Sequence, residues 1–236
     1  MIRIEPSPGE VRHGAGVLAV GDVSLGGTPR GVVLLLCEPG QRAGSAARLA
    51  NGLAEHGFDS TIADLGDDHD ESSIVARLGA LLEHVATRGW RPDQAGVVGY
   101  GPAGVAAHVA AEHLPVGAAV SLANEFAGAN DSYPDGYRPR RLQVPWLGMF
   151  AVPAERMPRF ARYRRDVEQA SDVYTEVVAY RDASPSYYRD STAVADHAAS
   201  FDSWQRTIEW LNLRVVPRLT PLAEAWVARH PAASVA

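Results

Sequence analysis

A carboxylate stands at the end of an unbroken apolar run, Gly31-Val32-Val33-Leu34-Leu35-Leu36-Cys37-Glu38. Burial at such a place disfavours the charged form and suits Glu38 to general acid or base work. The plainer reading is a loop-start carboxylate that caps, or pairs with Arg42. Cys37 is the single cysteine. Strand alternation sends its side chain away from that of Glu38, so it reads as a small buried hydrophobe. A second chemical cluster surrounds Pro185: Asp182, Ser184, Ser186, Tyr187, Tyr188 and Arg189 offer carboxylate, hydroxyl, phenol and guanidinium groups on one loop. Asn124, Glu125 and Phe126 form a third candidate set. Against these stands the turn Gly99-Tyr100-Gly101-Pro102-Ala103-Gly104. Gly101 has no side chain there, Pro102 has no N–H, and Tyr100 is expected to point into the structure.

The remaining inventory is restrictive. All 22 basic residues are Arg, so Schiff-base chemistry, pyridoxal phosphate attachment and a phosphate-loop Lys are excluded. One cysteine allows no internal disulfide and no multi-cysteine metal site. His69 lies in a solvated charge run, and His108 and His113 read as helix-face residues, so no metal and no cofactor is expected. The clusters Arg138 to Arg141 and Arg162 to Arg165 read as solvated faces. A net charge of −6 over 236 residues argues against nucleic acid or an anionic membrane as partner. No apolar segment reaches membrane-span or signal-peptide length, so a soluble cytoplasmic protein is expected.

The elements that must position these groups alternate in type. Buried strands are predicted at 31–37, 59–65, 95–100, 117–122, 146–152 and 174–180. Helices are predicted over 45–56, 74–88, 103–113, 159–169 and 193–213, with a short one near 222–228. Phe201, Trp204, Ile208 and Leu211 are spaced as the core face of the 193–213 helix. Strand–helix alternation implies right-handed crossovers and a mostly parallel sheet covered on both faces. Ligands of such sheets sit beyond the carboxyl ends of the strands. That places Glu38, the glycine turn, Glu125 and the Pro185 loop around one cleft.

The turn at Gly101 has the pattern of a nucleophile elbow, Gly-x-nucleophile-x-Gly. There the chain resembles the dienelactone hydrolase family, whose elbow usually reads Gly-Tyr-Cys-x-Gly-Gly. Four other stretches agree in order: Leu35-Leu36-Cys37-Glu38 with Gly40, Leu147-Gly148-Met149-Phe150, the loop from Tyr180 to Asp190, and Trp204-Gln205-Arg206-Thr207. The resemblance covers about residues 25 to 213, with 214 to 236 as a C-terminal extension of a single domain. It implies an α/β-hydrolase fold, a mostly parallel central sheet flanked by helices. It also implies that the nucleophile, acid and base positions fall on Gly101, Ala154 and Pro185, and that Pro102 removes one oxyanion donor. Glu38 matches a Glu that contacts the catalytic thiol in the Cys-bearing branch. Arg189 matches a residue that binds a substrate carboxylate in some relatives.

The expected activity is therefore not acyl transfer. It is non-covalent acid–base chemistry on a small organic molecule, such as cyclisation, elimination or isomerisation, with Glu38 as acid or base. The alternatives are a non-catalytic protein binding a small molecule or a partner, and residual ester or lactone hydrolysis through relocated groups. The Ala-, Gly- and Arg-rich composition, typical of a GC-rich genome, suggests a polyketide-type secondary metabolite as substrate. A homodimer is left open.

Overall fold

The computed structural model describes residues 4–14, 16–66, 70–126, 137–188 and 193–230. Eight strands form one sheet: β1 (Ser7–His13), β2 (Gly16–Val23), β3 (Gly31–Cys37), β4 (Phe58–Asp64), β5 (Ala95–Tyr100), β6 (Ala118–Glu125), β7 (Trp146–Val152) and β8 (Thr175–Arg181). Their spatial order is β1-β2-β4-β3-β5-β6-β7-β8. The β1–β2 hairpin is antiparallel and joins β4 antiparallel, while the strands from β4 to β8 run parallel. Helices α1 (Ser45–Glu55), α2 (Glu71–Thr87), α3 (Gly104–His113), α4 (Met157–Ala170), α5 (Val194–Arg214) and α6 (Pro221–Arg229) complete the order. Among the described residues, no helix is long and apolar enough to cross a membrane.

The central strands are buried on both faces, and a period of two sorts their side chains. Val32, Leu34 and Leu36 pack with Ile74 and Leu78 of α2 and Ala107 of α3. Val33, Leu35 and Cys37 pack with Ala50 and Leu53 of α1 and Leu211 of α5. The alternation expected between Cys37 and Glu38 is thus built into β3, and Glu38 emerges at the carboxyl edge above α3.

Two expectations change. The hairpin β1–β2 carries no long apolar run, since only Val11, Leu18, Val20 and Val23 of its side chains join the core, so periodicity alone did not mark it. Phe201 is not on the core face of α5; it is 70% exposed, whereas Ile208 and Leu211 are buried. The 3.6-residue period drifts over the helix's first turns, where Ala199 and Ser203 take the inward positions.

The segment after α5 is part of the fold. Val215 is buried and seals the amino-terminal edge of the sheet: a β-carbon on Gly31 would lie 2.7 Å from its Cγ1, and one on Gly117 would lie 3.0 Å from its Cα. The N–H groups of Val216 and Arg218 donate to the carbonyls of Asp93 and Arg30. The Arg218 guanidinium lies over the Trp90 ring, 3.6 Å from its centroid, a cation–π contact.

Candidate functional site

β5 runs straight into a short 3-10 turn, Gly101–Ala103, and then into α3. Gly101 holds φ +59°, a left-handed backbone that costs other residues about 1–2 kcal/mol. Gly99 is needed for proximity: a β-carbon there would overlap the Ala103 carbonyl oxygen and lie 2.7 Å from its carbon. The sharp turn presents Gly101 at the carboxyl edge, beside Glu38 from the end of β3.

Two side chains fill the space above Gly101. A β-carbon on Gly101 would lie 2.7 Å from Glu38 Oε1 and 2.7 Å from the Tyr188 hydroxyl oxygen. Tyr188 donates its O–H to Glu38 Oε1 at 3.1 Å. Its ring meets the Tyr100 ring edge-on, with centroids 5.1 Å apart. Both Glu38 and Tyr188 are half-buried. The phenol and the carboxylate therefore converge where the turn itself offers no functional group.

These groups border a cleft of ≈560 Å³ whose walls include Gly101, Pro102, Glu125, Pro185 and Tyr188. Tyr188 also borders a second cavity of ≈440 Å³, between α1 and α5, that is lined by Leu49, Tyr187 and Trp204. Asn124 and Tyr137 close the floor of the first. The Tyr137 hydroxyl donates to Asn124 Oδ1, and Asn124 Nδ2 donates to the Met149 carbonyl at 3.0 Å. Nearby, Ala123 is held at φ +54°, where β6 shifts register against β7 between Ser121 and Asn124. Its N–H donates to the Tyr187 hydroxyl at 3.2 Å.

Of the predicted site residues, the structure gathers Glu38, Gly101, Pro102, Glu125 and Pro185 at one cleft. Five others lie elsewhere. Tyr100 is fully buried and shares a hydrogen bond with Ser45 Oγ at 3.2 Å; burial pushes its phenol well above the ordinary value. Ser184 uses its N–H and its hydroxyl on the Asp196 carboxylate, at 2.6 and 2.8 Å. Asp182 is exposed beside Arg181. Ala154 is exposed at the start of another 3-10 turn, Ala154–Arg156. Tyr187 is buried, because a turn closed by its N–H on the Ser184 carbonyl at 3.1 Å sends its ring into the core. The same turn leaves Pro185 and Ser186 facing the cleft. Arg189 and His69 lie outside the described residues. Tyr188 was one of several phenol and hydroxyl candidates in the sequence, and geometry selects it. Tyr137 carried no sequence signal, since it lies in no periodic segment.

Cys37 is sealed. Its thiol donates to the Ala63 carbonyl at 3.4 Å. Burial, helped by Asp64, pushes its pKa up to about 12. Thiolate is the reactive form, so a thiol-disulfide reagent at mildly alkaline pH is expected to leave the folded protein unlabelled. It should label one thiol per chain after unfolding in concentrated guanidinium. Rapid labelling of the folded protein would contradict the burial.

Comparison with known proteins adds a family and a set of folds. The model of the dienelactone hydrolase family matches residues 50–214. A search of curated proteins found no match. A Klebsiella pneumoniae protein assigned as a dienelactone hydrolase superposes with TM-score 0.67 at 20% identity, over 87% of this chain and 98% of that one. A dienelactone hydrolase-like promiscuous phosphotriesterase from metagenomic libraries gives TM-score 0.63 at 18% identity, over 91% and 100%. A thermophilic esterase from Thermogutta terrifontis gives TM-score 0.64 at 12% identity, over 87% and 91%. At these identities the structures establish the fold, the α/β-hydrolase arrangement of a mostly parallel sheet between helices.

Proposed function

The chain belongs to the dienelactone hydrolase family, and from that premise we propose that its cleft performs non-covalent acid–base chemistry on a small oxygenated molecule. One observation carries this reading. The elbow residue is Gly101, and the place of its missing side chain is taken by Glu38 Oε1 and the Tyr188 hydroxyl, 3.1 Å apart. Without a nucleophile at the turn no acyl-enzyme forms there. A carboxylate and a phenol held in contact are instead suited to moving a proton.

The step is a proton abstraction next to a carbonyl. Glu38 takes the proton from carbon, and the electron pair left behind moves onto the carbonyl oxygen as an enolate. Tyr188 turns its O–H from Glu38 to that oxygen and stabilises the developing charge. Return of the proton from Glu38 to another carbon completes an isomerisation. Expulsion of a β-substituent, which leaves with the proton from Glu38, completes an elimination; attack of the enolate on a second carbonyl closes a ring, and the alkoxide so formed takes that proton. An enolisable, polyketide-type substrate fits each of these outcomes.

The direct test follows deuterium entry from heavy water into the α-carbons of simple cyclic ketones, unactivated esters and small lactones, whose uncatalysed exchange at neutral pH is slow. Proton NMR should show multiple-turnover exchange with no acid released. Multiple-turnover release of acid from the esters or lactones would favour hydrolysis and overturn the proposal. Saturable binding with no exchange across the panel would favour a binding protein.

Gly101→Ser provides a second check. The new side chain needs the space held by Glu38 and Tyr188, and both of those contacting atoms are ends of flexible side chains. The fold should survive with a loss of about 1–2 kcal/mol from the left-handed backbone, while exchange falls to background. A variant that keeps wild-type exchange would show that the Glu38–Tyr188 geometry is irrelevant.

A further inference from the structure

The cavity between α1 and α5 differs in character from the cleft it adjoins. Two carboxylates, Glu38 and Glu125, border the cleft. Among the described residues, no carboxylate lines the second cavity of ≈440 Å³, and its nitrogen-bearing side chains are Arg48 and His197. In a chain of net charge −6, that local balance favours an anion. Arg48 and His197 are both exposed, which puts them toward solvent at the mouth.

The walls are apolar and largely aromatic. Leu49, Leu122, Tyr187 and Trp204 supply them, and Tyr188 is shared with the cleft. Leu49, Tyr188 and Trp204 are only partly buried, so apolar surface stays open to the cavity. The Trp204 indole is laid against α1 at Gly52: a β-carbon there would lie 2.7 Å from Cζ2 and 3.3 Å from Cη2. Glycine weakens the interior of a helix, and in α1 it makes room for a flat ring. The volume is that of a small-molecule site, in which mostly apolar walls carry a few polar groups.

We propose that this cavity is a second ligand site, one that takes a planar aromatic monocarboxylate. The ring packs against Leu49, Leu122 and Trp204, where aromatic faces add to the area buried. The carboxylate meets the Arg48 guanidinium, whose planar fork matches its two oxygens. One fixed positive charge suits a monoanion. The site does not rest on the reaction proposed at Glu38. Tyr188 makes the two neighbours, since the ring that walls this cavity carries the hydroxyl that meets Glu38.

The test titrates the full chain with benzoate, 2-naphthoate and the neutral 2-naphthamide by calorimetry. One 2-naphthoate per chain is expected, bound more tightly than benzoate because more ring is buried. It should bind about twofold to fivefold more tightly than the amide, the size typical of an exposed ion pair. Arg48→Gln, at an exposed position, should erase that preference and leave binding of the amide unchanged. Ser200→Trp places an indole in the cavity from α5 and should weaken 2-naphthoate binding roughly tenfold or more, with circular dichroism confirming the fold. No saturable binding of either carboxylate would overturn the proposal. So would 2-naphthoate binding unchanged in Ser200→Trp, which would place the ligand elsewhere. Equal affinity of the wild type for acid and amide, or a preference that survives Arg48→Gln, would overturn it as well.

Discussion

Glu38→Gln is expected to reduce enolate exchange by about 10²–10⁴ while leaving the thermal midpoint within a few degrees of wild type, the range typical of lost general-base catalysis. The amide keeps the size of the side chain and still accepts the Tyr188 O–H through its carbonyl oxygen. It cannot take up the proton. Because Glu38 is half-buried at a strand end and outside both apolar clusters, little packing is lost with its charge. The measurement is the initial rate of deuterium entry by NMR, paired with a thermal melt. Wild-type exchange in Glu38→Gln would remove Glu38 from the chemistry. Tyr188→Phe separates the roles: it keeps the base and should cost less than Glu38→Gln. An equal or larger loss would make the phenol the principal group.

The largest effect on stability is expected at Gly99. A methyl group there overlaps the Ala103 carbonyl oxygen, which is backbone and cannot swing aside. Relief requires α3 to retreat from β5. That would strain the hydrogen bond from Ser121 Oγ to the Gly104 carbonyl at 2.6 Å, and with it the Trp146 indole that donates to the same Oγ at 2.9 Å. Gly99→Ala should therefore cost about 4 kcal/mol or more, in the upper tail of single substitutions. For a chain of this size that is a fall of roughly 10 °C or more in thermal midpoint. A fall of under 2 °C would show that the strand–helix approach is looser than its geometry implies.

The sheet was legible because its central strands are buried on both faces, and two-sided burial writes itself as an unbroken apolar run. β7 was placed residue for residue from Trp146-Leu147-Gly148-Met149-Phe150-Ala151-Val152. The β1–β2 hairpin was not, because a strand with one wet face at a sheet edge needs few apolar residues. At the cleft, Glu38 and Gly101 were visible because a carboxylate after an apolar run and a glycine-framed turn are local signals. The selection of Tyr188 over Tyr187 and Tyr100 was not local. It depends on a turn that sends Tyr187 into the core and leaves Pro185, Ser186 and Tyr188 at the cleft, and on Glu38, which is 150 residues away in the chain. The family match begins only at residue 50 and does not reach Glu38, which its place after an apolar run and the resemblance of Leu35-Leu36-Cys37-Glu38 had marked.

Val215, described above as the seal on the amino-terminal edge of the sheet, also bears on how the protein is made. It closes over Gly31, which belongs to a strand synthesised early, and over Gly117, at the start of a later one. Until the residues around 215 have left the ribosome, that edge has no cover, although every strand of the sheet already exists. Helix α5 and the segment behind it thus close a sheet whose strands all precede them in the chain. A chain ending before Val215 would leave the edge that this residue covers open to solvent.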